Sequence, residues 1–338
     1  MSTRLVQLKN GGHRRVAVVE EPELRLLNAD CIYSLARSAI SGGTTFADTI
    51  ARSATHEKFA YDPIYNAESE WKLLPPIDHP EERARCFISG TGLTHLGSAR
   101  DRQAMHAKAL NAEESEELTD SMRMFRWGVE GGRPPAGHIG APPEWFYKGT
   151  GSILCAHGEP LEVPPFAEDG GEEAEIAAIY IIGRDGRPFR IGMAIGNEFS
   201  DHCFEKKNYL NLAASKLRTC SIGPELVINP EFASVAGEVT IQRNGRSLWT
   251  KQVRTGEAEM CHSLQNIEHH HFKFVQHRHP GDIHVHFLGA DSLSFGEGIR
   301  LKDGDVLQVG FDGFGRPLRN FVHVDRTPSQ IVTAVSLA

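Results

Sequence analysis

Residues 171–200 constrain the fold most. They hold two apolar runs, Gly171-Glu-Glu-Ala-Glu-Ile-Ala-Ala-Ile-Tyr-Ile-Ile-Gly183 and Phe189-Arg-Ile-Gly-Met-Ala-Ile-Gly-Asn-Glu-Phe-Ser200, joined by a short Gly-containing turn. Two such runs predict an antiparallel hairpin. Side chains alternate along a strand, so Glu173 and Glu175 project from one face. With the turn centred on Asp185-Gly186, Glu198 stands opposite Glu173 and three carboxylates converge. A slip of one residue would send Glu198 to the other face. Three like charges at the mouth of an apolar hairpin repel one another unless a cation lies between them. Oxygen-only ligands suit Mg²⁺, Mn²⁺ or Ca²⁺, and open positions for water and substrate favour catalytic Mg²⁺ or Mn²⁺ over a structural cage. Glutamates also serve simply to solubilise strand ends, so the pattern alone leaves both readings open.

The rest of the chain narrows the class. At 338 residues it is long for one domain, and a large catalytic domain with a smaller appendage is the expectation. No apolar run approaches the ~20 residues of a membrane helix. The basic start, with Arg4, Lys9, Arg14 and Arg15, lacks the apolar stretch of a secretory signal, so a cytoplasmic protein is expected. Six scattered cysteines without a Cys-x-x-Cys pair argue against both disulfides and a thiolate zinc site. A net charge of -8 without a basic cluster disfavours nucleic acid and anionic membranes as partners, and leaves a small molecule.

Val16 to Val19 and Leu24 to Leu27 read as short strands, and Cys31 to Ile50 carries apolar residues at helical spacing. This predicts a small N-terminal α+β domain over residues 1–75, with a boundary in the Pro-rich Lys72-Leu-Leu-Pro-Pro-Ile-Asp-His-Pro80 stretch and a catalytic domain over 76–338. Gln103 to Phe125 reads as helical, followed by the loop Gly131-Gly-Arg-Pro-Pro135. From residue 139 onward, short apolar runs alternate with Gly, Pro and Asp turns, the pattern of a mostly β domain.

Glu173-Ala-Glu175 opening an apolar strand and Gly196-Asn-Glu198 closing the next resemble the metal site of the fumarylacetoacetate hydrolase superfamily, whose third ligand is usually Asp. The family's lysine after the third ligand matches Lys216. Its closing segments resemble Pro280-Gly-Asp282, Phe287-Leu-Gly-Ala290 and Asp303-Gly-Asp-Val-Leu-Gln-Val309. The resemblance implies an α+β, mostly β fold with a rolled mixed sheet, and a homodimer. It also implies a 2-oxo acid as substrate. In the hydrolases a His/Glu pair activates water; here Ser98 and Asp101 stand in those places, within Gly92-Leu-Thr-His-Leu-Gly-Ser-Ala-Arg-Asp-Arg102. Ser98 and Arg102 instead resemble the Ser-x-x-x-Arg pattern of the 2-keto-3-deoxy sugar-acid dehydratases. Ser215-Lys216 with Cys220-Ser-Ile-Gly-Pro224 is similar to that branch too.

On this resemblance the protein is expected to be a Mg²⁺-dependent lyase acting on a 2-keto-3-deoxypentonate in sugar catabolism. Glu173, Glu175 and Glu198 would hold the metal, and Lys216, Ser98 and Arg102 would be catalytic. Lys148 in Trp145-Phe-Tyr-Lys148, His262 after Met260-Cys261, and Gly289 would bind substrate. Lys216 would act as the C3 base or as a cation stabilising the enolate. A hydrolase or decarboxylase of an acylpyruvate is the alternative, with His95 or Asp101 positioning water; a silent 2-oxo acid binding protein is a third. The run from His269 to His286 invites a zinc reading, but with no Cys to join it a polar core or interface role is expected.

Overall fold

The computed structural model describes residues 2–107 and 119–337, with side chains for all of these except Asp101 and 104–107. The chain opens on an antiparallel meander of β1 (Arg4–Asn10), β2 (His13–Glu20) and β3 (Glu23–Leu27). The helical stretch expected after it is two helices. Buried Ile32, Leu35, Ala36 and Ala39 give α1 (Ile32–Gly42) its packing face, and Gly43, left-handed at φ 61°, ends it. Thr45 then caps α2 (Phe46–Ser53) by accepting from the Asp48 N–H. Strand β4 (Ala54–Ala60), helix α3 (Tyr61–Tyr65) and strand β5 (Lys72–Leu74) complete this part.

Next come β6 (Cys86–Gly90), α4 (Leu96–Ala107), α5 (Asp120–Gly131), β7 (Phe146–Thr150), β8 (Leu154–Cys155) and β9 (Pro160–Val163). The helices α4 and α5 flank 108–118; that part of the expected helix lies outside the described residues. The hairpin of β10 (Ala174–Ile182) and β11 (Pro188–Asn197) follows as expected, then α6 (His202–Lys207), α7 (Leu212–Ser215), β12 (Cys220–Ile222) and β13 (Leu226–Val227). The chain continues through β14 (Val235–Arg243), β15 (Arg246–Thr255), α8 (Leu264–Phe272), β16 (Ile283–Phe287), β17 (Val306–Phe311) and β18 (Leu318–Val324).

The strands form two sheets, one ordered β4-β3-β2-β1-β13-β11-β10-β16-β6-β7 and one ordered β15-β14-β17-β18-β9. Both are mixed, since β16–β6 and β18–β9 pair in parallel. This is the mostly β, α+β architecture that the turn spacing predicts. Strand β10 is buried along its whole length. Its Ile176, Ala178, Tyr180 and Ile182 pack toward Val239, Ile241, Leu307 and Val309 of the second sheet, and Ala177, Ile179 and Ile181 toward α1 and β16. Each fully buried Ile or Leu stabilises the fold by roughly 1.5–3 kcal/mol relative to exposure, so the hairpin is the best-anchored element of the molecule. The N-terminal strands continue the large sheet through the Leu5↔Leu226 pair, while Val6, Leu8, Ala17, Leu24 and Leu26 build a separate core with Tyr61, Ile64 and Leu73.

Candidate active site

The β10–β11 hairpin brings the three predicted carboxylates together. Ala174 pairs with Asn197 and Glu175 with Gly196, and the Glu198 N–H donates to the Glu173 carbonyl at 2.9 Å. Glu173, Glu175 and Glu198 therefore share the face of Ala177 and Ile179. One oxygen from each lies within 4.8 Å of the other two, and all three side chains are buried.

Two lysines meet them from below. Lys216, just past α7, donates to Glu173 Oε1 and, at 2.5 Å, to Glu198 Oε2. Lys148, on β7, donates to Glu198 Oε1 at 2.6 Å, to the Phe199 carbonyl at 2.5 Å and to the Lys216 carbonyl at 3.0 Å. Three acceptors use all three ammonium protons, so Lys148 is committed to the protein. His202, opening α6, places Nε2 3.0 Å from Glu173 Oε1. Gly289, left-handed at φ 96°, donates its N–H to Glu175 Oε2 at 2.6 Å.

These contacts separate the carboxylates electrostatically. Burial alone would raise the Glu173 carboxyl, but the Lys216 ammonium and His202 overcome it and hold it well below the usual range. Burial and the like charges of Glu173 and Glu198 push Glu175 well above it. Glu198 is raised by burial and Glu173, an effect its two lysines partly offset. Burial pulls the Lys216 ammonium down, yet Glu173, Glu198 and Glu205 leave it above its ordinary value.

Comparison with known proteins places the chain in a family. Residues 104–323 match the fumarylacetoacetate (FAA) hydrolase C-terminal family. The chain belongs to that family. A 2-dehydro-3-deoxy-D-arabinonate dehydratase of Saccharolobus solfataricus is 24% identical over 251 residues, 72% of each chain. A solved 2-keto-3-deoxy-D-arabinonate dehydratase, complexed with magnesium and 2,5-dioxopentanoate, shares the fold with TM-score 0.70. It is 18% identical, over 96% of this chain and all of that one. A 2-hydroxyhepta-2,4-diene-1,7-dioate isomerase of Mycobacterium marinum matches at TM-score 0.57 and 16% identity, with coverage of 96% and 100%.

In this family member the three glutamates fit a hard divalent ion. The donors are all carboxylate oxygens, and among the described residues no other cluster of three such side chains forms. Among those residues, Glu175 has the Gly289 N–H as its one hydrogen-bond partner and no side-chain cation.

Arg102, on α4, is buried beside this group. Its Nη1 lies 2.9 Å from both Glu144 oxygens and its Nε 3.0 Å from Glu205 Oε1, and the Tyr209 hydroxyl also donates to Glu144. Glu144, Glu205, His202 and Tyr209 carry no signal in the sequence reading. They lie tens of residues from their partners and join no spaced pattern; only a cluster of charged residues in otherwise apolar surroundings could have marked them.

The remaining predicted residues make other contacts. Ser98 donates to the His95 carbonyl at 3.2 Å, one turn back in its own helix. Asp101 is outside the described side chains. His262 packs against Gly128 and Gly132 of α5, lies 3.3 Å from Asn266 Nδ2, and is held by burial at about 4. No hydrogen bond joins Ser98 or His262 to the triad among the described residues. His95 is buried between two threonine hydroxyls, with Thr94 Oγ1 at 2.8 Å and Thr255 Oγ1 at 3.2 Å. Within the His269–His286 run, His269 and His279 are exposed, while the buried histidines form a polar core: His271 meets His284 at 3.0 Å, and His286 lies between the hydroxyls of Ser89 and Thr91.

Proposed function

We propose that this chain is a divalent-metal-dependent dehydratase of a 2-keto-3-deoxy sugar acid, with a 2-keto-3-deoxypentonate such as 2-keto-3-deoxy-L-arabonate as substrate. The observation that carries the reading is the buried Glu173/Glu175/Glu198 triad with Lys216 bridging two of its members. The relatives named as dehydratases support it. So does the engagement of both His95 nitrogens by threonines, which leaves that histidine unavailable to activate water for a hydrolase. Every residue assigned to the site lies between positions 92 and 294, which supports residues 76–338 as the catalytic unit.

Glu173, Glu175 and Glu198 would hold a Mg²⁺ or Mn²⁺ ion, which when bound would supply Lewis-acid polarisation of a 2-oxo acid and so acidify its C3 protons. Dehydration then removes a proton from C3 and hydroxide from C4, together one water, and tautomerisation of the unsaturated 5-hydroxy acid gives the C5 aldehyde. Lys216, kept charged by Glu173 and Glu198, stabilises the negative charge that develops when C3 loses its proton. Lys148 favours the ionised form of Glu198, partly offsetting its burial, and fixes the backbone at Lys216. Glu144 and Glu205 hold Arg102 in one orientation, with a rigid guanidinium edge for the substrate's hydroxyl or carboxylate.

The test is conversion of 2-keto-3-deoxy-L-arabonate and its D epimer to 2,5-dioxopentanoate by purified protein, with Mg²⁺ or with EDTA. EDTA-sensitive formation of that aldehyde is expected. No product from either epimer by the metal-loaded protein would overturn the reading and turn attention to carbon–carbon cleavage of acylpyruvates.

A further inference from the structure

We infer that Thr94 and His95 are positioning residues for Glu175, through a one-directional chain of hydrogen bonds that starts at Thr255. The inference rests on Glu175 as a metal ligand. The Thr94 hydroxyl donates its single proton to the Leu288 carbonyl, at 2.8 Å. Toward His95 Nδ1, 2.8 Å away, its oxygen is therefore an acceptor, and Nδ1 carries the imidazole proton. Nε2 is then the bare nitrogen and accepts from Thr255 Oγ1 at 3.2 Å. The ring is 1% exposed, Thr94 is wholly buried, and burial holds His95 neutral, at about 4.

The Leu288 carbonyl and the Gly289 N–H belong to one planar peptide unit. Fixing the carbonyl fixes the direction of the N–H, which donates to Glu175 Oε2 at 2.6 Å. Thr94 is itself anchored, since its carbonyl accepts from the Cys261 N–H at 2.8 Å. The approach is close enough to require glycine: a Cβ at Gly289 would lie 1.9 Å from Thr94 Oγ1. Each donor polarises the next in the same sense, which strengthens the chain as a unit. Lys148, Lys216 and His202 hydrogen-bond to Glu173 and Glu198, so this relay orients the one carboxylate to which none of them donates. The stretch where hydrolase relatives are expected to carry their water-activating pair here supports a ligand from behind.

The experiment is a calorimetric Mn²⁺ titration, without substrate, of wild type, Thr94→Val and Thr94→Ser, with ¹⁵N spectroscopy of His95 in wild type. Thr94→Val should bind Mn²⁺ about tenfold more weakly, a typical effect for groups that orient a ligand from outside the coordination shell. Thr94→Ser, which restores the hydroxyl, should bind like wild type, and His95 should be protonated on Nδ1. Wild-type affinity in Thr94→Val, or a proton on Nε2, would overturn the inference. The tautomer and the serine variant decide it even where the valine variant does not fold. A wild type that binds no Mn²⁺ would instead overturn Glu175 as a ligand, and the relay's role with it.

Discussion

Glu175 and Glu198 are equally buried but differently paired, and substitution should separate them. Glu198 accepts from two lysines, whereas Glu175 accepts from a backbone N–H and faces two like charges that the more distant Lys216 ammonium only partly offsets. Glu175→Gln removes a charge that burial and its neighbours disfavour, so the metal-free protein should melt at a higher temperature in EDTA. The same change should abolish Mn²⁺ binding in calorimetry and bring activity to the EDTA background. Lys148→Met works in the opposite sense. It strips Glu198 of one of two cations and takes from the Phe199 carbonyl the Lys148 donor, while the Lys216 carbonyl keeps the Arg218 N–H. Removing one partner of a buried pair costs about 3 kcal/mol or more, which urea unfolding would register. A fall in substrate affinity alone, with stability unchanged, would instead mark Lys148 as a substrate contact.

At the scale of the element, the site depends on a single extra residue in β11. The turn is one residue shorter than a centre on Asp185-Gly186 requires: the Gly183 N–H donates to the Arg187 carbonyl, and Ile182 pairs with Pro188. Continued without interruption, that register would carry Glu198 past Glu173 and onto the other face. Between the Tyr180↔Arg190 and Ile179↔Gly192 pairs the strand bulges at Ile191, and the register needed at the mouth is restored. Deleting Ile191 should therefore leave the turn intact and abolish Mn²⁺ binding, as calorimetry would show. Alternation with a turn centred on Asp185-Gly186 places Glu173, Glu175 and Glu198 together from sequence, but that register is reached because the shorter turn and the bulge offset each other, and the bulge has no mark in the residues. Arg102 was singled out by the resemblance of Ser98-x-x-x-Arg102 to the dehydratase pattern, since spacing alone would equally suit one polar face of a helix. Its partners Glu144 and Glu205 were not, since their approach depends on how α4, α6 and the chain before β7 fold together. The N-terminal strands were legible as strands, whereas their continuation of the large sheet through the short β13 was not: two residues carry too little pattern.

At the scale of the whole molecule, the histidine-rich segment controls pH response more than chemistry. His271 and His284 pack with Phe87 inside the fold, and His286 packs with His271. The Trp145 indole N–H donates to His271 Nδ1 at 3.1 Å, and a protonated ring could not accept it. Burial, reinforced by the neighbouring imidazoles, holds His284 and His286 down to about 3 and His271 lower still. Since the folded values lie below the ordinary 6.5, the unfolded chain binds the extra protons. This stability is complete above pH 6.5 and is lost as the pH falls from there toward 3, by about 1.4 kcal/mol per pH unit for each neutral histidine. Buried carboxylates raised by burial, Glu172 and Glu225 among them, act in the opposite direction, so the comparison must be made against a variant. His286→Gln keeps a polar group between Ser89 and Thr91 and cannot titrate. It should be less stable than wild type near neutrality, and urea unfolding should show the gap closing by about 1.4 kcal/mol per unit below pH 6.5. A gap that stayed constant down to about pH 5 would mean that His286 takes up its proton within the fold as readily as in the unfolded chain. The neutral polar core would then not hold.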